Sequence, residues 1–491
     1  MDRQPLNSSA ASNRNVWFMA AAVGIMLALH ALPTPPPLER SGEVVELTIG
    51  GKATIAILSF AVVLWITEAI PFAATALFVL LLIPVFGVTS YAEAVQLGFG
   101  HAIITFFIGV LILSAGFSRS GLGTRMALLI LHKLGTRTDR VLLGFLIAGA
   151  SLSMWITDMA VAAILLPLAV SLLEDAGLER LKSNFGKALM IACAFGPLIG
   201  GIATPAGTGA NPIALSYMSD LAGIEISFVE WMAYGVPAAA LMLPGAWLLL
   251  LWIFPPEIEK LPIEREEISA RLAELGPLQS AEIKTLVVFA MTISLWLVTP
   301  LLNRLSGGAV NPPLQAVALF GGISLFLPKM NVLSWKQAQH DVDWGGIVLI
   351  AAGISLGLTV FETGAAHWLA LVLMGEMGVV PALLRPFLIV LAVAMLHMLF
   401  SSNTVTGTII IPILIALAGS LGLAPWTLAG PAAFTSSLAF ILVTETPTNV
   451  IPYSSGYFSI RDMAKVGIPM TFIAALSVAV SMLIVGAIIG G

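Results

Sequence analysis

Charge is scarce in this chain: 10% of its 491 residues are Asp, Glu, Lys or Arg, against about a quarter in soluble globular proteins. With 58% hydrophobic residues and a mean hydropathy of +0.99, the composition excludes an ordinary soluble domain and describes an all-α polytopic membrane protein. Cysteine is nearly absent. The single Cys193 lies in an apolar run, which excludes a disulfide framework within the chain and leaves no thiolate cluster for a metal. No Walker A glycine-lysine loop occurs, so ATP-driven transport has no support, and no nucleic-acid signature is present. Low-complexity segments and an appended soluble domain are also lacking. The net charge of −5 says little, because orientation follows where Lys and Arg sit.

Against that background, polar interruptions of apolar runs stand out. Trp155-Ile156-Thr157-Asp158-Met159 breaks one long run, and Phe400-Ser401-Ser402-Asn403-Thr404 breaks another. In lipid, polar side chains and bent backbone are tolerated only where protein or a water-filled cavity surrounds them, so such breaks mark candidate transport sites. The two stretches align. Asp158 falls on Asn403 and Pro167 on Pro412 at one offset, 245 residues. Further pairs follow in order at slowly falling offsets: Gly121 with Gly364, Asn211 with Asn449, and Gly235-Val236-Pro237 with Gly467-Ile468-Pro469. Paired, interrupted segments at corresponding places in two halves point to the binding site of a secondary transporter.

Hydropathy and the positive-inside rule then give a topology. Residues 1–15 are polar, carry Arg3 and Arg14, and are expected in the cytosol. The apolar segment 16–33 is too long for a signal-peptide core and reads as a retained span. Spans are expected at about 53–70, 72–89, 101–118, 187–217, 233–254, 281–302, 313–328, 345–361, 430–452 and 466–489, eleven in all. Segments 140–172 and 386–420 are each too long for one span and are broken in the middle, so they read as re-entrant hairpins. Arg119, Arg125, Lys133, Arg137 and Arg140 place the loop before the first hairpin inside, and Arg180, Lys182 and Lys187 do the same for the loop after it. Five spans separate the hairpins, so the second enters from the opposite face, and their tips are expected to meet near the midplane. Spans 187–217 and 430–452 are broken in turn, at Thr204 to Pro212 and at Thr444-Glu445-Thr446-Pro447-Thr448-Asn449. The expected division is scaffold spans at 16–118, 218–254, 285–344 and 453–491, transport halves at 119–217 and 345–452, and a cytosolic connector at 255–284. The C-terminus falls outside the cell membrane.

At this point the chain resembles a known family. Trp65-Ile66-Thr67-Glu68-Ala69-Ile70-Pro71, the turn Ser402-Asn403-Thr404, the broken segment from Gly200 to Asn211, and Phe228-Val229-Glu230-Trp231 with Gly235 and Pro237 resemble the divalent-anion/sodium symporters, from about residue 50 to the end. The resemblance implies carriage of a dicarboxylate, citrate or sulfate by a homodimer of eleven-helix protomers built from inverted repeats, with a transport domain moving like an elevator against a scaffold. It also implies two cation sites, one at Thr157, Asp158 and Gly207, the other at Ser402, Asn403 and the carbonyl near Glu445. The anion pocket would be lined by Thr208, Asn403, Thr404, Thr446 and Pro447, with Thr157, Asn211, Ser402 and Asn449 beside them.

The residues agree with part of this on their own chemistry. An anion at membrane depth needs donors without a buried Lys or Arg, and hydroxyls, amides and helix N-termini supply them. Ser402, Asn403, Thr404, Thr446 and Asn449 are such donors. Na⁺ takes hydroxyl, amide and unwound carbonyl oxygens, which Gly207 and Gly209 let the backbone expose.

The chain departs from the family at the first tip, where Ser-Asn-Thr is expected and Thr157-Asp158-Met159 stands, and at Glu445, where a small residue is usual. Both changes add negative charge beside an anion site. Asp158 strengthens its Na⁺ site, or Asp158 or Glu445 carries a coupling proton, or the first cation site is lost and the substrate is smaller or singly charged. These three remain open at this stage. A C4-dicarboxylate leads the substrate candidates, followed by sulfate or a monovalent anion, with cation-independent exchange and an ion channel as other readings. No cofactor, no enzymatic activity and no nucleic-acid partner are expected; the partners are the small anion, lipid and a second copy of the chain. His30 and His397 read as packing residues, Glu68 as a helix-end cap, and Trp17, Trp65, Trp231, Trp344 and Trp368 as an aromatic belt.

Overall fold

The computed structural model describes residues 9–40, 43–262 and 265–489; Arg3, in the expected cytosolic N-terminus, lies outside them. Among the described residues the chain is a series of helices with one two-stranded antiparallel ribbon, β1 (Leu38–Arg40) and β2 (Glu43–Val45). The first series is α1 (Ser9–Ala31), α2 (Ile49–Thr67), α3 (Phe72–Val85), α4 (Tyr91–Phe99), α5 (Ile103–Ser120), α6 (Leu122–Leu134), α7 (Thr138–Ser153), α8 (Asp158–Asp175), α9 (Asn184–Gly201), α10 (Ala210–Ala222) and α11 (Phe228–Ile253). After the short connector helix α12 (Arg265–Glu274) come α13 (Ser280–Leu305), α14 (Leu314–Ser324), α15 (Trp335–Asp341), α16 (Trp344–Glu362), α17 (Ala365–Met374), α18 (Arg385–His397), α19 (Asn403–Ser420), α20 (Trp426–Thr435), α21 (Pro447–Tyr453) and α22 (Ile460–Ile489).

Eight of these helices are long and apolar enough to cross a bilayer: α1 from Asn13, α2, α5, α11, α13, α16, α19 and α22. Seven coincide with expected spans. The eighth, α19, is the second arm of a hairpin and starts at its turn. Of the other four expected spans, α3 and α14 have only 14 and 11 residues, well short of the ~20 that a straight crossing needs. The remaining two are the broken segments. Leu248 and Trp252 on α11, Leu286 and Leu301 on α13, and Phe472 and Leu476 on α22 are exposed, as suits helices whose outer faces meet lipid.

Both hairpins form where the sequence places them. Their arms are α7 with α8 and α18 with α19, and each turn covers the polar break. The bends in the other two segments separate α9 from α10 and α20 from α21. Matching details run through the two series. Gly121 and Gly364 both take positive φ, +82° and +76°, a conformation glycine adopts without strain, and each turns the chain from a long helix into a short one. A Cβ on Gly235 would lie 2.5 Å from the Ile202 carbonyl oxygen, and one on Gly467 would lie 2.0 Å from that of Phe440. α11 and α22 therefore approach the backbone of the two breaks more closely than any side chain allows.

The aromatic belt needs correction. Trp65 and Trp231 are buried, and Trp231 donates its Nε1 proton to the Ile202 carbonyl at 2.9 Å, filling space beside the first break. Trp17 is exposed. His397 is buried as expected, but neither ring nitrogen has a hydrogen-bond partner among the described residues. Glu68 is the left-handed C-cap of α2, with φ of 49°.

Ion pairs gather at helix ends. Arg125 donates to both oxygens of Glu282, at 2.7 and 2.9 Å, and to the carbonyls of Leu275 and Gly276, tying the connector to α6. Arg119 donates to both oxygens of Asp341 and holds its carboxyl below the usual range. Above the ordinary Asp pKa of ~3.9 that link is complete, and it is lost as pH falls through the depressed folded value. Thermal unfolding measured as pH falls from 7 is expected to show wild type ahead of Asp341→Asn at neutral pH, with the gap closing once pH drops below the ordinary Asp range and through the depressed value. The gap is small, about 0.2–1 kcal/mol for an exposed pair.

Candidate functional site

The two hairpin turns meet. Asn403 donates its Nδ2 proton to Asp158 Oδ2 at 3.3 Å, and these side chains, at aligned positions of the two halves, are 8% and 7% exposed. The other carboxylate oxygen, Oδ1, accepts the Met159 backbone N–H at 2.9 Å in the first turn of α8. The Asp158 N–H in turn donates to the Gly207 carbonyl at 3.2 Å. Three of the expected residues are thus joined: Asp158, Gly207 and Asn403. Thr157 is the N-cap residue of α8, yet its side chain does not cap; its hydroxyl lies 3.4 Å from that of Ser114.

Asparagines hold both bends in the same way. Asn211 Nδ2 donates to the carbonyls of Gly201 and Thr204 at 2.8 and 2.7 Å, and Asn449 Nδ2 donates to those of Ala439 and Leu442 at 2.7 and 3.0 Å. A chain leaving a helix exposes carbonyls that have lost their intrahelical partners, and here one amide satisfies two of them. Asn449 was expected to offer a donor to the substrate and Asn211 to stand at the same pocket. In this structure both protons of each amide are engaged with backbone carbonyls.

Around this frame the remaining residues separate. The Thr208 hydroxyl lies 2.6 Å from that of Ser437 and donates to Asn211 Oδ1 at 3.2 Å. Thr404 lies against Gly209, where an added Cβ would meet its hydroxyl at 2.6 Å. Ser402 caps α19 by accepting the Val405 N–H, Thr446 reaches Thr448 at 3.5 Å, and Pro447 opens α21 and is exposed. The Glu445 carboxylate turns back on its own segment and accepts the N–H groups of Ile441 and Leu442 at 3.2 and 3.0 Å. Each carboxylate oxygen accepts one backbone N–H and keeps a further lone pair.

Ser153, Ser437 and Thr448 were not singled out from the sequence. Ser153 carries a buried hydroxyl with no partner among the described residues, and its carbonyl and that of Gly201 converge on Gly207, where a Cβ would lie 2.5 and 2.3 Å from them. The available signals were Ser153 a few residues before the first turn, the hydroxyl run Thr435-Ser436-Ser437 before the second bend, and the place of Thr448 within that bend. Buried oxygens of Asn403 (Oδ1) and Asn449 (Oδ1) also lack partners among the described residues. Hydroxyl, amide and carbonyl oxygens of this kind fit Na⁺ and not a softer metal.

Two cavities lie to the sides of the hairpins, neither lined by Asp158 or Asn403. One of about 550 Å³ is lined by Arg14, Thr67, Glu68, the second turn from Met398 to Ser401, and Thr444. Another of about 600 Å³ is lined by His101, Asp220, Glu225, Phe228, Trp296 and Asn303 among others, residues the topology puts outside. Between the second cavity and the first turn stands a column of nearly parallel rings: Trp155 on Phe228 (6.4 Å, 10°) and Phe228 on Trp296 (4.7 Å, 11°).

The chain is 34% identical over 461 residues to the "Sodium-dependent dicarboxylate transporter SdcS" of Staphylococcus saprophyticus, covering 90% of this chain and 86% of the relative. It is 32% identical over 449 residues to the protein of that name in Staphylococcus aureus, covering 88% and 85%. Among solved structures, the YdaH transporter of Alcanivorax borkumensis aligns with a TM-score of 0.57 at 15% identity, over 98% of both chains. MtrF of Neisseria gonorrhoeae aligns with 0.58 at 12% identity, over 98% of this chain and 95% of that one. Those two likenesses show the fold alone. The family profile described as "Sodium:sulfate symporter transmembrane region" matches residues 13–490, and the chain belongs to that family, the divalent-anion/sodium symporters.

Proposed function

We propose that the protein is a secondary active carrier that moves a small anion together with Na⁺, by elevator-type alternating access between two inverted halves. The observation that carries this reading is the junction itself, where the turns of two hairpins from different halves touch through buried polar side chains beside two bent segments. Relatives named for sodium-dependent dicarboxylate transport make a C4-dicarboxylate the first substrate to test and Na⁺ the first coupling ion. The moving part would comprise α7–α11 and α18–α22. This departs from the expected division in two ways: α6, α16 and α17 are left with the scaffold, α16 packing on α3 and α4, and α11 and α22 join the hairpins, because α11 packs along α22 and on α7 and α9, and α22 packs on α18 and α20. The protein would be a homodimer in the cell (inner) membrane, with a cytosolic N-terminus and an outside C-terminus.

Purified protein in liposomes, offered a panel of small carboxylates and sulfate, tests this. An inward Na⁺ gradient is expected to drive saturable uptake, and a pH gradient alone to drive none. Uptake under the pH gradient alone would move the coupling to a proton. Uptake under neither gradient would remove the carrier reading.

A further inference from the structure

We infer that Asp158 sets the substrate class: it occupies the place of one solute carboxylate, so the solute carries a carboxylate at one end only and a hydrogen-bond donor, hydroxyl or ammonium, at the other. This rests on the carrier reading above and narrows it.

The contacts of Asp158 are those of a bound anion. Its oxygens accept from the Met159 backbone N–H at the start of α8 and from the Asn403 amide. A helix N-terminus and an amide are what a membrane-embedded site uses to hold a carboxylate without a buried cation. No basic side chain pairs with Asp158 among the described residues. The donor set at the first turn is therefore filled by the protein's own carboxylate. A second carboxylate arriving beside it would find its donors taken and a like charge within a few ångströms, in surroundings that screen poorly.

What remains open at the junction has the opposite polarity. Asn403 gives its proton to Asp158, and its Oδ1 is buried with no partner among the described residues. Together with the spare lone pairs of the carboxylate it makes an acceptor surface, which suits a hydroxyl or ammonium group. Donors persist on the second side. Ser402 accepts from Val405, leaving its own proton free, and Thr404 stands beside it in the first turn of α19. A solute spanning the junction would thus place its carboxylate at the α19 turn and its donor at Asp158.

The test is a thermal-shift titration of purified wild type at fixed Na⁺ with succinate, butyrate, 4-hydroxybutyrate and γ-aminobutyrate, repeated on Asp158→Asn and across a Na⁺ series. In wild type, 4-hydroxybutyrate or γ-aminobutyrate is expected to half-saturate at least about tenfold below succinate. In Asp158→Asn, which restores an amide, succinate is expected to move ahead of both. The wild-type ranking decides the matter even if the variant fails to fold. Succinate binding wild type as tightly as the donor-bearing monoacids overturns the inference and leaves the carrier reading standing. A variant in which only the Na⁺ half-saturation changes, with the ranking intact, makes Asp158 a cation ligand and also overturns it. Failure of all four probes to bind wild type at any Na⁺ concentration overturns the inference, while the carrier reading stands or falls on the liposome uptake of the wider anion panel.

Discussion

Asn211→Leu is expected to destabilise the protein by about 2–6 kcal/mol and to abolish uptake. The estimate follows from two carbonyls, Gly201 and Thr204, that lose their amide donor inside fully buried surroundings, at roughly 1–3 kcal/mol for each unsatisfied group. Leucine matches asparagine closely in shape, so the loss reports on hydrogen bonding more than on packing. Asn449→Leu should behave alike, because Ala439 and Leu442 stand to it as Gly201 and Thr204 stand to Asn211. Denaturant titration in mixed micelles measures the first effect and liposome uptake the second. Stability within about 0.5 kcal/mol of wild type, the usual range for an inconsequential substitution, would show that the amide does not hold the bend.

Gly207→Ala should cut uptake by more than about tenfold while costing about 1–3 kcal/mol of stability, the usual range for overpacking. The added methyl would lie 2.3 Å from the Gly201 oxygen and 2.5 Å from the Ser153 oxygen. Both obstacles are backbone, so no rotamer change relieves them. The peptide must move, and with it the Gly207 carbonyl that accepts the Asp158 N–H. Gly209→Ala provides the comparison, since its methyl meets only the Thr404 hydroxyl within 3 Å, a side chain that can turn away. Initial uptake rates and half-saturating Na⁺ for the two variants measure the difference. Equal losses would mean that the clash with backbone is not what matters.

Much of this was legible because bilayer solvent is strict. A polar residue in an apolar run has few tolerated environments, so Thr157-Asp158 and Ser402-Asn403-Thr404 located both turns to within a few residues. Glycine and proline echoes gave the correspondence between halves. The short helices α4, α6 and α15 were harder to see, because a segment of two or three turns at the edge of a span carries too little periodicity to separate it from its neighbour. Roles set by tertiary partners escaped as well. Nothing local to Asn211 says that its amide reaches ten residues back, nor that Trp231 sits inside the protein and not at an interface. Ser153, two residues after Ser151, and Ser437, the last of Thr435-Ser436-Ser437, read from sequence as helix-internal hydroxyls that bond back to their own carbonyls.

The contact between Asp158 and Asn403 has a geometric corollary. Under the two-fold relation proposed for the halves, counterparts can touch one another only on the rotation axis, so the axis must thread the junction of the turns. Under that same proposal a cargo lodged there would face both halves at once, and an identical pair of residues on the axis would present it with two indistinguishable sides. With an acid opposite an amide the two sides differ, and the cargo would acquire a preferred heading as it crosses.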